Sequence, residues 1–281
     1  MSFTFPVFDG RIVPRQHSAL TPFRVQLTAS DMDWNLHSSA GRAEYHKPMR
    51  LWDKSTGNVA DFTTHFSFVI NSEYNETYGD GLTFFLAPNG SNFPSKSCGG
   101  SVALVSADRD PSDPSTSFIA LEFDTHSDKS WDPPCLHVGI DLNNISLVNY
   151  TCVDWFSQKF MTGGVINASI TYNSGAQNLS VLMIDVADPK GNVAKLFPSV
   201  NLTKYLPDWV TIGFLATTGL SFEFDTLHSW NFSSNMRVIK NENRTKGSKS
   251  WVWSVIGRPF AVAHSCSRPC LVWSQVKEKN K

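Results

Sequence analysis

FIALEFDTHSDKSWDPPCLHVGIDLN, residues 118–143, decides how the rest of the chain is read. It opens on a strand-like run, Phe118-Ile119-Ala120-Leu121-Glu122-Phe123-Asp124. Side chains alternate faces along a strand, so Glu122 and Asp124 point one way and Leu121 and Phe123 the other. Two carboxylates side by side on one face repel each other unless positive charge sits between them. The following loop carries Asp128 and Asp132 and is kept out of helix by Pro133 and Pro134. A second strand-like run, residues 136–142, begins with Leu136 and His137. Glu122, Asp124, Asp128, Asp132 and the His137 imidazole are thus gathered in one strand–loop–strand unit. Hard oxygen donors with a single imidazole suit calcium together with an octahedral ion such as manganese, whereas zinc takes closed sets rich in Cys or His. An EF-hand calcium loop is excluded, because its alternating Asp/Asn ladder, central Gly and terminal Glu are missing.

The surrounding chain of 281 residues is long enough to bury a sizeable core, and all-β domains reach this scale as single units. An aromatic content of 12% against 17% charged residues fits a sandwich core. A formal net charge of −1 gives no electrostatic reason for a nucleic-acid or anionic-membrane partner. Short segments with period-two alternation recur throughout, separated by turn residues. They are residues 3–8, 23–28, 42–51 (broken), 62–70, 82–88, 99–105, 165–172, 178–184, 208–214 and 227–232. The run 82–88 is apolar enough to be buried on both faces, and residues 173–177 make a hairpin loop between two paired strands. His65 reads as a residue on a sheet face rather than a ligand. The pattern predicts an all-β fold, an antiparallel two-sheet jelly-roll sandwich.

Compartment signals pull in two directions. N-glycosylation sequons stand at Asn75, Asn89, Asn144, Asn149, Asn167, Asn178, Asn201, Asn231 and Asn243. Nine is well above the roughly three that this composition gives by chance, and such sites are used only in chains that enter the secretory route. Met1-Ser2-Phe3-Thr4-Phe5-Pro6 has neither a basic n-region nor a long apolar h-region, so we expect a chain whose N-terminus is incomplete. Of five cysteines, Cys135 and Cys152 flank the second strand of the metal unit and form the candidate pair; Cys98, Cys266 and Cys270 have no assigned partner.

Ala120-Leu121-Glu122-Phe123-Asp124-Thr125, Trp131-Asp132-Pro133 and His137-Val138-Gly139-Ile140 together resemble the metal-binding core of legume-type (L-type) lectins. The resemblance covers residues 3–234. It implies a transition metal, usually Mn2+, held by Glu122, Asp124, Asp132 and His137. It implies Ca2+ held by Asp124, the His126 carbonyl, Asp128 and Asp132. For the sugar it implies Asp80 as acceptor after a cis peptide, Gly100 as backbone donor, His126 and Asp128 beside the calcium, and residues 217–226 as the variable rim. Two positions depart from the family. His126 stands where an aromatic ring usually stacks on the sugar, and Asp128 replaces an Asn that could donate as well as accept.

The closest flavour is that of plant lectin receptor-kinase ectodomains, carried by Leu51-Trp52-Asp53 and Asp61-Phe62-Thr63-Thr64-His65-Phe66-Ser67-Phe68. The division expected is a lectin domain over residues 1–235 and a linker with a truncated membrane-proximal tail over 236–281. Residues 251–263 are apolar but interrupted by Arg258 and Pro259, too short for an intact transmembrane helix. No kinase glycine loop, His-Arg-Asp or Asp-Phe-Gly motif is present. The resulting expectation is a non-enzymatic, carbohydrate-binding lectin module, secreted or on the extracellular face of the plasma membrane. Its partner would be a glycan, with a homodimer through the sheet faces left open. The alternative is a degenerate ectodomain of the same fold that binds a peptide, protein or apolar ligand. A jelly-roll glycoside hydrolase is remoter, because its third carboxylate would fall on Ser127.

Overall fold

The computed structural model describes residues 1–30, 33, 36–92, 116–127, 132–143, 147–188 and 191–236. Within them the chain forms two antiparallel sheets packed face to face. The first sheet runs β14 (Val193–Leu196), β13 (Asn178–Asp185), β12 (Ile166–Asn173), β7 (Phe62–Asn71), β16 (Phe224–Ser234), β4 (Val25–Gln26) and β3 (Ala19–Leu20). Strand β1 (Ser2–Phe5) also pairs with β16. The second runs β11 (Asn149–Cys152), β10 (His137–Leu142), β9 (Ile119–Asp124), β8 (Gly81–Pro88), β15 (Trp209–Thr217), β5 (Ala40–Tyr45) and β2 (Ile12–Gln16). Strand β6 (Met49–Arg50) pairs with β15. The architecture is the jelly-roll sandwich expected from the alternating segments.

The period-two signal places the core. In β7, Phe62, Thr64, Phe66, Phe68 and Ile70 are buried, while His65 on the opposite face is exposed. Facing rings from both sheets interlock: Phe66 lies edge-on to Phe214 at 4.7 Å between centroids, Phe214 to Trp230 at 4.9 Å, and Phe68 tilts on Phe123 at 5.0 Å. The Trp230 indole N–H is not stranded by this burial, since it donates to Thr64 Oγ1 at 2.9 Å.

The second sheet has a further apolar cluster on its other side, Phe85, Ala87, Phe118, Ala120 and Leu215. Strands β8 and β9 are therefore buried on both faces, as the apolar run 82–88 predicted for the first of them. This is the physical setting of the acidic unit: its carboxylates project from the centre of a sheet whose two sides are both dry.

Several short elements differ from the sequence reading. Residues 42–51 divide into β5 and β6 around Pro48, which cannot donate to a ladder. The segment 23–28 keeps only the two-residue β4. Strands β2, β3, β11 and β14 were not anticipated; each is five residues or fewer and sits at or near a sheet edge, where alternation is weak. A helix, α1 (Phe156–Thr162), was also missed. It is two turns long, anchored by Phe156 and Phe160 and ended by Gly163 in the left-handed conformation. The expected strand 99–105, the residues 236–281 apart from Met236, and Cys98, Cys266 and Cys270 lie outside the described residues. The Cys135–Cys152 disulfide is present and joins the start of β10 to the end of β11.

Candidate metal centre

Register fixes the site. Strand β9 pairs antiparallel with β10 so that Asp124 faces His137 and Glu122 faces Gly139. Alternation then sets Glu122, Asp124, His137, Gly139 and Asp141 on one side of the sheet. Ligand atoms of Glu122, Asp124, Asp132 and His137 all lie within 4.8 Å of one another. The structure thus brings together the four side chains that the sequence singled out for one ion.

The imidazole is oriented from behind. His137 Nδ1 lies 3.0 Å from the Cys135 carbonyl oxygen, which can only accept, so Nδ1 carries the proton. Nε2 of the neutral ring then turns its lone pair toward Glu122 Oε1 at 3.1 Å and Asp124 Oδ2 at 4.0 Å. A lone pair aimed at carboxylate oxygens is repulsive unless a proton or a cation lies between them. Such backing of a ring nitrogen by a carbonyl is the usual support of a metal-ligating histidine.

Electrostatics point the same way. Burial, aided by Asp132, lifts the Glu122 carboxyl to about 7. Burial also raises Asp124 well above the ordinary carboxylate range, with Glu122 and Asp132 adding repulsion. His137 is pushed down by burial, which keeps the ring neutral. Burial thus favours the protonated form of both carboxyls when no cation is present, and a divalent ion would favour their ionised form. The donor set, three carboxylates and one neutral imidazole, fits an octahedral divalent ion.

Asp141 was not anticipated. Its side chain is fully buried and faces the Glu122 carboxyl, and burial followed by Glu122 lifts it to about 9. One proton shared by this pair would let Asp141 hold the Glu122 carboxylate in place. The signal was available, since Asp141 is four residues from His137 on the same strand and so shares its face. Gly139 between them is a packing requirement. An added Cβ there would stand 2.8 Å from Glu122 Oε1 and closer still to Leu147 Cδ2.

The second half of the site comes from distant segments. His126 N–H donates to Asp124 Oδ1 at 2.6 Å, and Ser127 Oγ donates to the Pro133 carbonyl at 2.6 Å, closing the loop on itself. The His126 side chain is exposed and lies against Gly79, whose peptide bond to Asp80 is cis. Asp80 N–H donates to the Thr217 carbonyl at 2.9 Å, fixing it beside the end of β15. Asp80 is close enough to Asp124 and Glu223 to raise both. Gly100 and Asp128 lie outside the described residues. The rim expected over 217–226 is shorter in the structure, because Thr217 ends β15 and Phe224 begins β16; Leu220 at its tip is 73% exposed.

Glu223 was also missed, and nothing local in the sequence marks it. It is buried just before β16, in the first sheet, yet Thr125 Oγ1 reaches it from the second sheet at 2.8 and 2.9 Å. The Gly81 N–H turns toward the same carboxyl. One side chain therefore ties the Asp80 turn, the loop after Asp124 and the rim together. Asp225 beside it is fully buried, with both carboxyl oxygens lacking a hydrogen-bond partner among the described residues. The nearby Thr28 hydroxyl spends its proton on the Glu223 carbonyl.

Residues 1–249 match the family description of the legume lectin domain. The chain is 37% identical over 244 residues to bark agglutinin I polypeptide B of Robinia pseudoacacia, covering 84% of this chain and 82% of that one. It is 41% identical over 206 residues to anti-H(O) lectin 1 of Cytisophyllum sessilifolium, covering 71% and 81%. Among solved structures, lectin UEA-II complexed with galactose superposes with a TM-score of 0.74 at 35% identity, covering 84% of this chain and 99% of that one.

Proposed function

The chain belongs to the legume lectin family, and from that premise we propose that it binds a glycan at a shallow site organised by two metal ions. The family is one of carbohydrate-binding proteins rather than enzymes. The observation that carries the finer reading is the meeting of Glu122, Asp124, Asp132 and His137, with Asp124 bonded to the His126 N–H and His126 lying on Gly79, the residue before Asp80. Mn2+ suits the first four side chains. Ca2+ would take Asp124, Asp132, the His126 carbonyl and Asp128. Bound there, the ions supply positive charge that holds the loop carboxylates ionised and in register; they do no chemistry on the sugar.

This chain's own residues make the recognition. Asp80 accepts from sugar hydroxyls, the Gly100 N–H donates, and His126 and Asp128 flank the ring. A site for one sugar ring has only about 4 kcal/mol to work with at a millimolar Kd. One hydrogen bond, worth about 1 kcal/mol, therefore matters, and so does the loss of a stacking ring at His126. The galactose bound by the UEA-II lectin is a reasonable first probe.

The finer biological setting is a secreted or cell-surface chain, read as a plant receptor-kinase ectodomain. The sequon excess and the Cys135–Cys152 disulfide support passage through an oxidising compartment. Among the described residues no helix is long and apolar enough to cross a membrane.

A glycan array run with and without chelator tests the reading, with Asp80→Ala in parallel. We expect binding that chelator abolishes, and an Asp80→Ala protein that keeps its metal and loses the sugar. Metal binding without any glycan signal in the wild type would refute it in favour of the degenerate ectodomain, which the His126 and Asp128 replacements favour.

A further inference from the structure

The face of the molecule opposite the metal centre carries a second pattern. Along a strand, positions i and i+2 share a face, so an Asn-x-Ser sequon inside a strand presents its Asn and its Ser together. Three sequons fall in strands of the first sheet: Asn167 with Ser169, Asn178 with Ser180, and Asn231 with Ser233. In each strand the alternate residues, Ala168, Leu179 and Phe232, are buried in the core, so all three sequons face outward.

Register brings two of them to one spot. Asn231 pairs with His65, His65 with Ser169, and Ser169 with Leu182. In the next row Ser229 pairs with Ser67, Ser67 with Asn167, and Asn167 with Ile184. Asn167 and Asn231 thus sit diagonally across β7. Two strand spacings and a two-residue offset put them about 12 Å apart. Between them lies a shallow groove of about 340 Å³, which both asparagines line together with His65, Leu182 and Ile184.

Their amides differ from those of three other sequons and share with Asn89 and Asn149 the lack of a side-chain hydrogen bond among the described residues. Asn75 Nδ2 donates to the Ser72 carbonyl, Asn178 accepts from its own Ser180, and Asn201 caps a 3-10 turn by accepting from Thr203 N–H. Neither Asn167 nor Asn231 spends its side-chain amide in a hydrogen bond among the described residues.

We propose that Asn167 and Asn231 carry N-linked glycans whose inner sugars occupy this groove, so that the outer face of the first sheet is a glycan-covered face. In each transfer the Asn Nδ2 forms a bond to C1 of the sugar. The C1–oxygen bond to the diphosphate of a lipid-linked oligosaccharide donor breaks, and the displaced amide proton ends on the departing diphosphate. The groove matches such an occupant. Leu182 and Ile184 give the apolar C–H faces of sugar rings a floor, while the Ser67–Ser229 hydroxyl pair at 2.6 Å offers polar edges. Two glycans anchored on one flat sheet prevent a second copy from lying against it.

The test expresses the chain with a signal peptide in a eukaryotic secretory host. Enzymatic release of N-glycans in heavy-oxygen water converts each occupied Asn to a labelled Asp, which mass spectrometry maps. Both Asn167 and Asn231 are expected to carry label. Ser169→Ala should erase the label at Asn167 and Ser169→Thr should retain it; Ser233→Ala should erase that at Asn231. These positions face solvent, so the variants fold. Absence of label at either asparagine in the secreted, folded wild type overturns the proposal. Light scattering checks the covered face: Leu182→Glu should leave the mass of the glycosylated chain unchanged. A glycosylated dimer that Leu182→Glu splits into monomers overturns it, because the occupant would then be a second copy.

Discussion

Replacing Gly139 with Ala tests how the metal centre is built. The residue sits on β10 opposite Glu122, and its missing side chain is the space in which the Glu122 carboxylate lies. An added methyl would stand 2.8 Å from Glu122 Oε1, where ordinary contact needs 3.4 Å or more, and closer still to Leu147 Cδ2. Leu147 is partly exposed and can rotate away, but Glu122 is buried beside His137 and Asp141 and cannot. Overpacking of this kind costs about 1–3 kcal/mol. The stiffer unfolded chain of Ala returns about 0.4–1 kcal/mol. We therefore expect the metal-free protein to lose about 1–2 kcal/mol, a fall of about 2–8 °C in Tm for a domain this size. Displacing a ligand from its position should weaken manganese binding about 10- to 100-fold, a further loss of about 1.4–2.7 kcal/mol seen only when metal is present. Thermal unfolding with and without metal, together with manganese titration calorimetry, measures both parts. Gly10→Ala is the control, because nothing lies within 4 Å of the added methyl there. Equal losses in the apo and metal-loaded protein would refute the reasoning, since Gly139 would then serve packing alone.

Three further outcomes follow from the same geometry. Asp132→Ala should release both ions together, because both donor sets share it; elemental analysis showing two metals retained would sink the two-metal assignment. Asp128→Asn should raise glycan affinity about fivefold, since a regained donor is worth about 1 kcal/mol; unchanged affinity in a wild type that does bind sugar would contradict this. Asp225 is raised well above the ordinary carboxylate range by burial, so its contribution to stability is present below the unfolded pKa and is lost as pH rises through the folded one. Asp225→Asn should therefore be near neutral at pH 4 and stabilising by about 1–3 kcal/mol at pH 8, the cost of an unsatisfied buried group; denaturant curves of equal midpoint shift at both pH values would count against it.

Much of this protein was legible because its decisive contacts are local or periodic. Glu122 and Asp124 lie two apart on one strand, and His137 opens the next strand thirteen residues after Asp124, so alternation and antiparallel pairing bring them together. The long strands β7, β8, β12, β13 and β15 were readable for the same reason, since a sandwich imposes period two on every half-buried strand and an apolar run on a doubly buried one. The disulfide was readable because Cys135 and Cys152 flank the second strand of the metal unit and the segment that follows it.

What lacks periodicity stayed hidden. The edge strands and the two-turn helix are too short to leave a pattern, and they form because neighbours already in place offer hydrogen bonds or an apolar seat. Asp141 looked like an ordinary strand carboxylate until register set it against Glu122. By itself the sequence determined the jelly-roll class and the placing of Glu122 and Asp124 on one face of one strand, since these follow from side-chain chemistry and alternation over a few residues. Only the tertiary structure decided that Glu223 would meet Thr125 from 98 residues away, that His126 would lie on Gly79, and that the sequons at Asn167 and Asn231 would flank one groove. Those meetings depend on which strands become neighbours across and between the two sheets. That choice is made by burying the whole core at once, and no short stretch of chain contains it.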